Sequence, residues 1–139
     1  MAAGLPNLRL VRSRFDDFLP SLAPHSVRGV LLADVLSSMP FAEQDELFRR
    51  LGQIVEPGGR VVLLYVDTRP RLRATANALR SYIVCRVLRL TEATGDRFFY
   101  RSGSVLRSLL ESAGFEVIRD EPRAGFAPKR RLVAEKRRS

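Results

Sequence analysis

A chain of 139 residues, 45% hydrophobic and 28% charged, has the size and composition of one ordinary globular domain able to bury roughly two thirds of its unfolded surface. Its longest apolar runs, such as VVLLYV, are far too short to span a bilayer, and MAAGLPNLRL lacks the basic start and continuous apolar core of a secretory signal, so a cytoplasmic protein without membrane association is expected. The formal charge of +9 raises the question of nucleic acid, but only two of the 24 basic residues are lysines and no aromatic ladder interleaves them.

The basic residues concentrate at 123–139, as Arg123, Lys129, Arg130, Arg131, Lys136, Arg137 and Arg138. A solvated basic segment is favoured there over a dedicated nucleic-acid interface. The single cysteine, Cys85, has no intramolecular disulfide partner and reads as a small helix residue in a reducing compartment.

In chain order, Leu8 to Val11 reads as a brief strand, and RFDDFLPSLAP after it as a loop with at most one helical turn. His25 stands at the amino end of the next strand, remote from any ligand edge. From Val27 to Asp67 the pattern is strand, helix, strand, with aliphatic runs that suggest strands buried on both faces and joined by a parallel crossover. Ligands of such sheets sit beyond the carboxyl ends of the strands, which singles out Ala33, Asp34 and Ser37 after the first strand and Tyr65 and Asp67 after the second. Tyr65 itself reads as core packing.

The crossover helix, about Ala42 to Val55, carries Leu47, Phe48, Leu51, Ile54 and Val55 as one stripe. Glu43, Asp45 and Glu46 crowd its first turns, where the helix dipole favours anions, so no catalytic carboxylate pair is read from them. Pro57, Gly58 and Gly59 turn the chain from helix to strand; a phosphate cradle needs glycines in the opposite order, and no GxGxxG occurs in the sequence.

After Asp67, Pro70 opens a helix predicted to reach about Leu90. TEATGDRFFYRSG is a loop long enough to cover a site and brings Phe98, Phe99, Tyr100 and Arg101. Ser102 or Ser104 can cap the next helix, with Val105, Leu106, Leu109, Leu110 and Ala113 as its buried side and Gly114 as its end. Phe115 to Ile118 and Leu132 to Glu135 read as strands joined in a long hairpin. No serine or cysteine pairs with His25 in a recognisable motif, and no cluster has metal-ligand spacing.

Taken in order, ADVLSSMP, VEPGGRVVLLYVD and YRSGSVLRSLLESAGFEVI resemble the carboxyl-terminal two thirds of a class I S-adenosylmethionine-dependent methyltransferase, over Asn7 to Lys136. The resemblance implies an α/β fold, a three-layer α/β/α Rossmann-like sheet, mostly parallel with an antiparallel last strand, in a single incomplete domain. The family sheet has strand order 3-2-1-4-5-7-6. Here Leu8 to Val11 matches its third strand and Val27 onward its fourth, while the first two strands, the glycine-rich GxGxG turn and the ribose-binding acid have no counterpart.

By resemblance, Arg14, Phe15 and Asp16 border the adenine of S-adenosylmethionine, Ala33, Asp34 and Val35 line its methionine side, and Asp67, Tyr100 and Arg101 face a small-molecule acceptor. No catalytic residue is assigned. Methyl transfer from a sulfonium asks chiefly for positioning, so the lack of a nucleophile constellation fits that chemistry. The expected function is that of a methyltransferase lacking its cofactor loop, inactive as an isolated chain. The alternative is a noncatalytic methyltransferase-like partner or a basic nucleic-acid-associated module. Loss of two strands leaves an aliphatic parallel edge, to be covered by a second copy or another chain.

Overall fold

The aliphatic run after Val27 forms strand β1 (Val27–Ala33), and the run spanning the glycine pair forms β2 (Val55–Val66). They pair in parallel, with Val30 against Val61, Leu32 against Leu63 and Ala33 against Leu64. The crossover between them is helix α2 (Phe41–Ile54). A short helix α1 (Phe15–Phe18) precedes them; helix α3 (Gly103–Ser112), β3 (Phe115–Pro122) and β4 (Lys129–Lys136) follow. This computed structural model describes residues 5–67, 98–124 and 129–138. The helix expected after Pro70, with Cys85, lies outside the described residues.

The sheet order is β1-β2-β4-β3, and β4 runs antiparallel to both neighbours. Three strands therefore share one direction and the last opposes them, as the sequence led us to expect. Register fixes which side chains share a face: Val30 and Leu32, Val61, Leu63 and Tyr65, Leu132 and Ala134, and Phe115 all point to one side. Against that side pack Leu47, Phe48, Leu51 and Ile54 of α2 and Leu106 and Leu110 of α3, all buried in one cluster. Among the described residues both long helices lie on this face.

Four details depart from the sequence reading. Leu8 to Val11 forms no strand; Leu10 is 72% exposed. A strand exists only through a ladder, and among the described residues no strand stands beyond β1 to start one. The two-sided burial expected of both strands fails for β1, where Leu31 is 64% exposed. Val105 lies on the outer surface of α3, which turns Leu106 and Leu110 into the core and packs Leu109 against it. Val55 leaves the helix and begins β2, followed by an irregular stretch before pairing resumes at Arg60 opposite Gly29. Gly58 takes a φ of +81° in that stretch, and a Cβ on Gly59 would lie 2.6 Å from Val55 Cγ1.

The basic segment is largely the second interior strand of the sheet. Lys136 at its end reaches the last turns of both helices, its Nζ donating to the Gly52 carbonyl at 2.6 Å and the Ala113 carbonyl at 3.0 Å, above the Phe115 ring. Burial pushes this ammonium below the usual lysine range, while the two helix-end carbonyls favour its charged form. Lys136→Met keeps the stem and removes the donor, leaving two helix ends without a partner. We expect a loss of about 1–3 kcal/mol in unfolding free energy, read by urea denaturation.

Candidate active site

β1 ends at the point where its main chain must turn toward α2, and Asp34 makes that turn in the left-handed region, at φ +54°. An aspartate tolerates this conformation better than a β-branched residue would. Its N–H donates to the Leu64 carbonyl at 3.1 Å, so the turn stays stitched to β2. Its carboxylate pairs with Lys129 Nζ at 3.2 Å, linking the end of β1 to the start of β4 across the end of β2. Ala33 is exposed beside it, and Val35 is half-buried against the core, its carbonyl accepting from Ser38 Oγ.

Asp34, Ser37, Tyr65, Tyr100 and Arg101 line one cleft, together with Gln44 and Phe99. It is small: about 20 Å³, room for one water. The floor is polar where the sequence reading saw nothing. Gln44 is fully buried, and its Nε2 lies within hydrogen-bonding distance of the carbonyls of Leu36 (2.8 Å), Met39 (2.9 Å) and Phe99 (3.3 Å). Among the described residues its Oε1 has no partner. The Phe99 N–H in turn donates to the Ser37 carbonyl at 2.8 Å. Gln44 thus fastens the loop before α3 to the turn after β1. The only sequence signal for it was an amide on the helix face next to the apolar stripe.

Arg101 lines the cleft but spends its guanidinium on α2. Nη1 pairs with Asp45 at 2.9 Å, Nη2 donates to the Phe41 carbonyl at 3.1 Å, and the group sits 4.7 Å from the Phe41 ring centroid. It anchors the loop. Phe99 meets Phe41 edge-on, and Tyr100 stacks with Phe98. Asp67 follows the last residue of β2 at the same edge.

Arg14, Phe15 and Asp16 are not brought into this cleft. Phe15 and Asp16 line a separate cavity of about 240 Å³ with Leu19, Met39, Glu43 and Leu47, and Arg14 pairs with Asp16 and Glu43. The two cavities share no lining residue. His25, as expected, stays at the amino end of β1, its Nδ1 3.3 Å from the Val55 carbonyl. Glu46 is held at about 2 by hydrogen bonds from Arg49 and Arg50, a structural use of that carboxylate.

Tyr65 belongs to both core and cleft. Only 5% exposed, its hydroxyl lies 3.3 Å from Asp120 Oδ1, and Asp120 also takes Arg130 at 2.9 Å and Arg107 at 3.6 Å. Burial, with the nearby Asp120 charge, pushes the phenol up to about 12. Its folded value exceeds the unfolded one near 10, so its contribution is complete below about pH 10 and lost as pH rises through about 12. Tyr65→Phe should cost about 0.5–1.5 kcal/mol at pH 7 and flatten the alkaline limb of stability, measured by denaturation from pH 8 to 12. Gln44→Leu should cost about 1–3 kcal/mol by orphaning buried carbonyls, with the loss visible in the same denaturation at pH 7.

No protein-family model matches the chain, and no curated protein matches it in sequence. Solved structures do match it in shape. A SAM-dependent methyltransferase from Archaeoglobus fulgidus superposes with a TM-score of 0.69 at 12% identity, over 94% of this chain and 68% of that one. A protein described as a possible exported protein from Bordetella parapertussis matches with a TM-score of 0.63 at 21% identity, over 86% of this chain and 42% of its own. The S-adenosylmethionine-dependent methyltransferase SibL, in its apo form, gives a TM-score of 0.59 at 24% identity, over 84% of this chain and 33% of that one. The chain thus spans between a third and two thirds of the length of these three structures. Over that length, it has the fold of a class I SAM-dependent methyltransferase.

Proposed function

We propose that these residues form the acceptor-side half of an S-adenosylmethionine-dependent methyltransferase acting on a small molecule, and that the 139-residue chain alone neither holds the cofactor nor turns over. The observation that carries the reading is the carboxyl edge of β1 and β2, where a left-handed Asp34, Tyr65 and the Tyr100 loop converge on one cleft of a methyltransferase-like fold. Two structural neighbours named for small molecules, the mitomycin 7-O-methyltransferase MmcR and the pyocyanin biosynthetic protein PhzM, support the acceptor class.

The residues present do not fit the cofactor by themselves. A cleft of about 20 Å³ cannot take a nucleoside, and Phe15 and Asp16, assigned to the adenine, face another cavity. No reaction step is therefore derived through it. The same observation favours the second reading, a noncatalytic methyltransferase-like partner. A nucleic-acid module draws less support, since Lys129, Arg130 and Arg131 are committed to Asp34, Asp120 and Glu121.

Titration calorimetry separates the two. The 139-residue chain, folded, should give no heat with S-adenosylmethionine at high micromolar concentration. A chain extended by in-frame upstream sequence carrying a glycine-rich loop should bind it with micromolar affinity. An extended, folded chain that carries such a loop and stays silent would reject the methyltransferase reading in favour of the noncatalytic one.

A further inference from the structure

Among the described residues, strand β1 has a partner on one side only. Since the Asp34 N–H points to Leu64 on β2, alternation turns the main-chain groups of Gly29, Leu31 and Ala33 to the other side. Among the described residues no strand meets them. Side chains do little to blunt this edge: Leu31 is 64% exposed, Gly29 and Ala33 are exposed, and β1 contains no proline and no lysine, its one charge being Arg28 near its start.

The edge is also self-complementary. Two copies of β1 placed antiparallel about a two-fold axis through Leu31 set Leu31 against Leu31, and Gly29 against Ala33 twice over. All three pairs then use outward-facing groups, for about six new main-chain hydrogen bonds. Just past the end of that ladder, Asp34 of one copy, in the turn after β1, comes near Arg28 of the other, at both ends. Arg28 is the only charged residue of β1, and its side chain is 90% exposed although it touches Glu56; the Asp34 side chain is half exposed. Centring the axis on Val30 instead would set Arg28 against Leu32 and lose that match.

We propose that the 139-residue chain forms a two-fold homodimer through antiparallel β1–β1 pairing centred on Leu31, making one continuous sheet from the two four-stranded halves. The surface is isologous, as a two-fold contact requires. It does not rest on the cofactor reading, and its test involves no cofactor.

Sedimentation velocity at 5–100 µM should show a species of twice 15.7 kDa. Leu31→Lys sets like charges opposite each other at the axis and should give monomer with an unchanged circular dichroism spectrum. Leu31→Pro removes only an outward N–H and should do the same. Arg28→Asp should weaken association at least tenfold. In a Cys85→Ser background, Leu31→Cys should oxidise to a covalent dimer, whereas Ala33→Cys, which faces Gly29, should not. A wild-type monomer at 100 µM overturns the proposal. So does a dimer indifferent to both Leu31 substitutions, or cross-linking of Ala33→Cys in preference to Leu31→Cys.

Discussion

The parallel pairing of β1 with β2, with α2 folded back over it, is the constraint from which the rest follows. Parallel neighbours cannot be joined by a tight turn, so the chain must leave the sheet, cross, and return. That crossing buries Leu47, Phe48, Leu51 and Ile54 against Val61 and Leu63, and it fixes the carboxyl ends of both strands side by side. Without it Asp34 and Tyr65 would have no common edge. Each such aromatic or leucine is worth about 1.5–3 kcal/mol by burial, so α2 is held by its apolar face more than by any cap; indeed Pro40 at its start makes no side-chain cap bond.

Polar contacts then decide where the loops lie. Gln44, Arg101 and Lys129 each join segments far apart in sequence, and each spends its hydrogen bonds on main chain or carboxylate at the rim of the cleft. Burying an amide or guanidinium costs several kcal/mol unless it is bonded, so these residues lock one loop arrangement rather than add net stability. Two atoms are the exceptions within that network, Gln44 Oε1 and Arg101 Nε, which have no partner among the described residues, and both side chains sit in the lining of the cleft. Lys136 plays the corresponding part at the opposite edge, where both helices end.

The sequence revealed what depends on periodicity. The stripe from Leu47 to Ile54 and the alternation of Phe115 to Ile118 and Leu132 to Glu135 report local geometry, and the strands and helix appear where those patterns stand. It failed where a neighbour decides. Leu8 to Val11 has a strand-like composition but no ladder to join among the described residues, and Leu31 reads as core although it is largely exposed. The basic run read as a solvated segment because charge hides the alternation: Leu132 and Ala134 face the core while Arg131 faces out. Asp34 was legible as a strand-end residue; its bond to Lys129, 95 positions away, was not. Gln44 offers only its place on the helix face beside the apolar stripe, which does not tell one buried amide from any polar residue in a helix.

The small cleft and the open edge are two views of one fact. A crevice at the carboxyl end of a parallel sheet needs walls on both sides of the strand that ends there. At Asp34, β2 and the Tyr100 loop supply one wall, and the other side is the flank of β1 that no strand meets among the described residues. Whatever pairs with that flank also finishes the wall, so edge and site cannot be occupied independently. A partner strand would lie within reach of Asp34, whose carboxylate is now balanced by Lys129 alone among the described residues, and would change both the volume and the charge of the cleft. Charge at the mouth of this site is therefore set by the company β1 keeps, as much as by the residues that line it.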